Sequence, residues 1–167
     1  MTRLAILTWP DPKLASVCTP VGEITPEVTE LAGHMLETMY AAPGRGLAAP
    51  QVGVLSRLFV MDTTWKEQDK SPMVFVDPVL LWSSETTSTN SEGCLSIPGV
   101  AADVTRPDQI RLRWTDLNGV LQEKDFNGFE AICIQHEMDH LEGLVTLDRV
   151  DDQTRARVLK DYSEVTA

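Results

Sequence analysis

The chain has 167 residues, 43% hydrophobic and 23% charged, an ordinary balance for one soluble globular domain spanning 1–167 with a sizeable core. Its net charge of -11, from 14 basic and 25 acidic residues, argues against direct DNA or RNA binding and against an anionic membrane surface, since both need a basic face. No stretch is long and apolar enough to span a bilayer, and the apolar run before Pro10-Asp11-Pro12 is too short for a signal peptide, so the expected compartment is cytoplasmic. Cys18, Cys94 and Cys133 are an odd count in a chain without a secretory signal and read as reduced thiols or metal ligands.

There is no internal repeat and no low-complexity tract. After the proline-rich start the first element is a helix: Thr25 suits the N-cap, Pro26 the first helical position, and Val28, Leu31, Met35, Leu36 and Met39 form a stripe that ends near Pro43-Gly44. Short extended runs follow over 46–51, 57–62 and 73–82, broken by turn signals such as Asp77-Pro78. The Ser/Thr-rich stretch 85–90 reads as a strand leading into Glu92-Gly93-Cys94-Leu95-Ser96. Ile110, Leu112 and Trp114 alternate with Arg111, Arg113 and Thr115, and Asn118-Gly119 then marks a hairpin whose return strand runs over 120–124. A helix is expected over 127–141, with Phe129, Ile132, Cys133 and His136 facing inward, and a terminal helix over 151–165. Strands come first and the main helix late, so the expected class is α+β, with mixed or antiparallel sheets packed around a central helix.

That central helix carries His136-Glu137-Met138-Asp139-His140, an H-E-x-x-H pattern holding two of the three histidines in the chain. Helical spacing puts both imidazoles on one face, near enough to bind one metal ion, with Glu137 beside them to move protons. Histidines on a solvated face are the bland alternative, and a third ligand would weaken it, because catalytic sites of this kind take three protein ligands and leave a position open. Cys133 fits poorly. It lies seven residues from His140, roughly 10 Å along a helix axis, and a metal–sulfur bond is only about 2.3 Å; Cys133 reads better as a small buried hydrophobe.

Cys94 is the better candidate. It is distant in sequence and follows Gly93, which lets backbone and metal approach closely. Cys18 and the mid-helix His34 read as packing or surface residues. The segment Gly44-Arg45-Gly46-Leu47-Ala48-Ala49-Pro50-Gln51 imitates a dinucleotide fingerprint, but a helix precedes it and extended chain follows, the reverse of what that motif needs. Its small residues suit close approach by another chain, and Gln51 offers a neutral amide donor.

These three segments, in this order over nearly the whole chain, resemble the peptide deformylases, which remove the N-formyl group from newly made proteins. The resemblance implies that Cys94, His136 and His140 hold one divalent metal ion, Fe²⁺ as the native ion and Zn²⁺, Ni²⁺ or Co²⁺ as substitutes. It implies Glu137 as general acid/base, with Gln51 and the Leu95 backbone N–H as oxyanion donors, and Gly44, Arg45, Gly46, Leu47, Gly93 and Cys133 around the substrate. The implied partners are a nascent formyl-Met polypeptide and the ribosome near its exit tunnel.

Three positions depart from the family: Pro43 replaces a glutamate, Ala101 an arginine and Arg45 an apolar residue. The groups that do chemistry all remain, so hydrolysis should survive while peptide affinity or specificity shifts. Two other readings stand beside this one, an H-E-x-x-H zinc endopeptidase and a non-catalytic deformylase-like metal protein. The first lacks a suitable ligand downstream of His140.

Overall fold

A computed structural model of the chain describes residues 3–166. The first helix, α1 (Pro26–Ala41), starts where the sequence marks it: Thr25 Oγ1 accepts the Val28 N–H at 3.4 Å, and Pro26 follows the cap. A one-turn 3₁₀ helix at Pro12–Ala15 precedes it, contrary to the expectation that α1 is the first element. Asp11 caps that turn by accepting the Lys13 N–H at 2.9 Å, and Leu14 is buried beneath it.

Five strands form one antiparallel sheet in the order β1 (Gly46–Ala48), β2 (Leu58–Met61), β3 (Met73–Ser83), β6 (Gln109–Thr115) and β7 (Leu121–Asn127). Only 46–48 of the expected extended run 46–51 is strand. Ala49–Val52 turns into a 3₁₀ helix, because Pro50 has no N–H to give a sheet and Gly53, at φ 86°, closes the turn. A separate hairpin pairs β4 (Thr87–Cys94) with β5 (Ile97–Pro107). Strand β5 has no counterpart among the elements expected from sequence. Its inward positions, Ala102, Val104 and Arg106, alternate as a half-buried strand should, but a buried arginine among them hides the apolar pattern.

Helix α2 (Gly128–Leu141) carries His136, Glu137 and His140 between the sheet and the hairpin. Its buried residues Ala131, Cys133, Ile134 and Leu141 pack on Phe59, Phe75, Trp114 and Phe126 from the sheet. Phe59 and Phe75 stack with centroids 4.5 Å apart. Phe129, expected to face inward, is 54% exposed and lies under the Arg45 guanidinium instead of in the core. On the far side α3 (Asp152–Thr166) buries Val158 and Tyr162 against Leu14, Ile97, Ala102 and Leu147. Cys18 is buried, and His34 sits half-buried beside Glu30, as packing residues. Among the described residues no helix is long and apolar enough to cross a membrane.

The aromatic cluster of Phe59, Phe75, Trp114 and Phe126 joins the sheet to α2. Phe75→Ala should therefore cost about 3–5 kcal/mol, as large-to-small changes at buried aromatics do. Urea unfolding measures this, and a loss below about 1 kcal/mol would show that the cluster does not hold the sheet to α2.

Candidate metal centre

The centre forms where the β4–β5 hairpin meets the inner face of α2. Among the described residues, one ligand atom each from Cys94, His136 and His140 lies within 4.8 Å of the others. Cys94 Sγ is 3.5 Å from His140 Nε2. His136 Nδ1 is taken by Glu92 at 2.9 Å, which turns Nε2 of that ring toward the same point. A carboxylate behind a metal-ligating imidazole fixes its tautomer and raises its basicity.

The electrostatics favour a cation. Burial alone would lower the His136 pKa, but hydrogen bonds to Cys94 and Glu92 and the negative charge of Glu137 outweigh it and raise it well above the ordinary value. Groups that hold a proton there hold a metal ion in the same way. Burial, with the charges of His136 and Arg106, pushes His140 well below the ordinary value and keeps that imidazole neutral, as a ligand must be. One thiolate and two imidazoles therefore fit a divalent transition ion.

Glu137 is buried beside this group, and burial raises its carboxyl from 4.5 to about 7. Its Oε1 has no hydrogen-bond partner among the described residues. The other oxygen lies against Gly46, where a Cβ would come within 2.5 Å of it. Gln51, also buried, is oriented at both ends of its amide: Oε1 accepts the Ala48 N–H at 2.9 Å, while Nε2 donates to Ser96 Oγ at 3.0 Å and toward Cys94 Sγ at 3.7 Å. Leu95 is the first residue of the two-residue turn between Cys94 and Ile97, a position whose N–H takes no part in the ladder. Its side chain packs on Gly44, where a Cβ would meet Leu95 Cδ1 at 2.7 Å.

A cavity of about 1340 Å³ opens over these groups, with Gly44, Arg45, Gly46, Gly93, Leu95 and Cys133 in its wall. Leu47 is the exception among the residues expected around the substrate. Strand alternation turns its side chain away from the cavity, and it is fully buried with Met35, Met39 and Val60. Burial pushes the Cys133 thiol well above its usual value, so it stays protonated, with Sγ 3.8 Å from the Arg45 carbonyl.

Sequence reasoning missed what stands behind the ligands. Arg106, 5% exposed, donates to Glu92 through Nε at 2.7 Å and Nη2 at 2.9 Å, and to Asp139 through Nη1 at 2.9 Å. Arg149 donates to Asp139 as well, at 2.7 and 3.1 Å. Burial would raise the Glu92 carboxyl, but hydrogen bonds from His136 and Arg106 and their charges hold it below its usual range. The available signal was acidic residues inside both motifs, Glu92 beside Cys94 and Asp139 between the histidines, which need a cation if buried.

A family model, polypeptide deformylase, matches residues 3–156. The chain belongs to the peptide deformylase family. It is 45% identical over 155 residues to the peptide deformylase of Phenylobacterium zucineum, covering 93% of this chain and 92% of that one. The corresponding figures for the Afipia carboxidovorans peptide deformylase are 46% over 159 residues, 95% and 93%. The structure is similar to that of the Legionella pneumophila peptide deformylase, with a TM-score of 0.92, 32% identity and coverage of 99% and 96%. It is similar also to the Ehrlichia chaffeensis deformylase in complex with actinonin, with a TM-score of 0.91, 33% identity and coverage of 98% of each chain. This member of the deformylase family is thus a metallohydrolase that removes the N-formyl group from nascent formyl-Met polypeptides. The endopeptidase reading is not favoured.

Two outcomes follow from the geometry. Gly46→Ala should displace the Glu137 carboxylate and lower kcat about 100-fold with the fold intact by circular dichroism; full activity would mean that the contact does not position Glu137. Arg106→Met should cost about 3–5 kcal/mol, since it leaves buried carboxylates unpaired. Because Glu92 is held below its ordinary 4.5, its contribution is present above that pH and lost as pH falls through the lower folded value. Denaturation from neutral to acid pH should show this loss in the parent protein and a smaller one in Arg106→Met.

Proposed function

We propose that Cys94, His136 and His140 hold one divalent cation per chain, natively Fe²⁺, with Zn²⁺, Ni²⁺ or Co²⁺ as substitutes, and that Glu137, Gln51 and Leu95 carry out the deformylation beside it. When bound, the cation supplies Lewis-acid chemistry, lowering the pKa of water and polarising a carbonyl. Glu137 accepts the proton of the attacking water and passes it to the leaving amine. Its raised pKa suits both halves of that task, since a base near neutrality gives its proton back readily. Gln51 Nε2 and the Leu95 N–H donate to the oxyanion that develops at the formyl carbon.

The observation that carries this reading is the convergence of three ligand atoms within 4.8 Å, next to a buried glutamate with a partnerless oxygen. The peptide lies along β1, an edge strand of the sheet, at its outward-facing Gly46, since the Ala48 N–H on the same side is taken by Gln51. Gly44, Arg45, Gly46, Gly93 and Cys133 border it through the cavity wall, and Leu47 contributes only backbone. The enzyme works in the cytoplasm on chains leaving the ribosome near the exit tunnel.

Formate release from formyl-Met-Ala-Ser by the iron- or nickel-loaded protein tests the reading directly. Cys94→Ser should lose both metal and activity; a variant that keeps its metal stoichiometrically would remove Cys94 from the ligand set. Gln51→Ala should lower kcat about 100- to 1000-fold. Ionised Glu137 is the active form, so activity should fall on the acid side. Burial sets the carboxyl at about 7 and a bound cation pulls it down, placing that limb between about 7 and the ordinary 4.5. A flat profile across this window would exclude Glu137 as the base.

A further inference from the structure

Arg45 stands where the family usually has an apolar residue, and the structure builds it into the rim. Its Nη1 donates to the Thr63 carbonyl at 2.7 Å and its Nη2 to Glu67 Oε1 at 2.6 Å. Its guanidinium lies over the Phe129 ring, 5.5 Å from the centroid. These contacts explain why Phe129 is exposed at the start of α2: it is the platform for this arginine. Arg45 and Phe129 also line a second cavity of about 610 Å³, so together they form the partition between that space and the cavity over the metal centre. The segment 62–72 that supplies Thr63 and Glu67 is tied down independently, by Trp65 Nε1 donating to the Gly44 carbonyl at 2.9 Å.

Lys66, on the same segment, is exposed and lines the main cavity. Its ammonium rests 5.7 Å from the Trp65 ring centre and has no carboxylate partner among the described residues. The acidic groups around this rim are largely committed. Asp108 accepts from Ser84 and Thr86, and Glu92 from Arg106 and His136. Glu130 faces only the second cavity. Glu67 is the exception, and its pair with Arg45 is weak because Glu67 is 57% exposed.

We propose that Arg45 and Lys66 form a carboxylate-reading subsite that favours formyl peptides with Asp or Glu at one of the two positions after the formyl-methionine. This rests on the deformylase reading. The reacting amide must lie at Glu137, which packs on Gly46, and the cavity continues from Gly46 past Arg45 to Lys66, so an extended peptide rising about 3.3 Å per residue passes Arg45 one or two residues further on. There a substrate carboxylate exchanges with Glu67 on the guanidinium fork and gains Lys66 as well. Phe129 and Thr63 hold the fork in place while this happens.

The test uses two readouts. Calorimetric Kd values for the deformylated peptides Met-Glu-Ser and Met-Ser-Glu are compared with those of their lysine counterparts. The kcat/KM ratios of the matching formyl peptides are then measured on the nickel-loaded protein. The acidic peptide should be preferred roughly fivefold at one of the two positions, less so at high salt. Arg45→Glu should reverse the preference, and Lys66→Glu should weaken it. Equal binding of acidic and basic peptides at both positions, or a preference unmoved by either variant, overturns the subsite. Failure to cleave any formyl peptide counts against the deformylase reading instead, and the calorimetry still decides the subsite.

Discussion

The centre depends on one buried arginine. Arg106 reaches from β5 into the seam between the hairpin and α2 and satisfies Glu92 on one side and Asp139 on the other, each of the three nearly sealed from water. Burying these charges is costly, and the interaction repays it only because almost every polar atom finds a partner, with His136 and Arg149 completing the set. Glu92 lies two residues before Cys94, and Asp139 lies one before His140. The same contact that joins hairpin to helix therefore sets the distance between the Cys94 sulfur and the imidazoles. Apolar residues in place of the trio would leave the His136 ring without its Glu92 partner, so the network fixes the geometry of the centre besides joining hairpin to helix.

Negative charge accumulates on the inner side of that network and small residues on the outer side. Glu92, Glu137 and the Cys94 sulfur surround the imidazoles, which makes a cation the natural completion of the site. Opposite them, Gly46 lets the backbone of β1 come against Glu137, and Gly44 does the same for Leu95. A side chain at either glycine would hold the edge strand off the reacting groups. Glu137, Leu95 and the edge strand are thus set by direct packing across the cavity, and Gln51, fixed through Ala48 and Ser96, ties the two walls together.

What the sequence disclosed follows from which interactions are local. The cap of α1, the Asn118-Gly119 hairpin and the histidine spacing on α2 depend on neighbours in the chain, and each stands where periodicity and cap chemistry put it. The approach of Cys94 to the two histidines was legible through its glycine and its distance from the helix. The failures were non-local. Strand β5 was invisible because its inward arginine looks like a surface residue until its partners, 14 and 33 positions away, are known. Phe129 read as core because apolarity at helical spacing does not reveal that a distant arginine, Arg45, takes its ring at the surface. Leu47 was grouped with the substrate-facing residues because its motif neighbours are there, whereas alternation along β1 sends its side chain to the opposite face.

The same division separates the chemistry from its rim. The proposed ligands, base and oxyanion donors sit on α2, on the hairpin and on a turn locked by side-chain hydrogen bonds, so each is fixed by packing on several sides. Arg45 contacts the loop 62–72 and Lys66 lies on it, a loop tied down by Trp65 on Gly44, Tyr40 on Asp62 and Arg45 on Thr63. A substitution there changes what the mouth attracts without moving a ligand, because no side chain of the Arg106 network crosses into that loop. The -11 charge of the whole chain makes two cations at the mouth more consequential. Against a repulsive background an acidic peptide gains from them only at short range, within about a Debye length of 8–10 Å, so the rim acts on peptides already docked along β1 and has little influence on how fast they arrive.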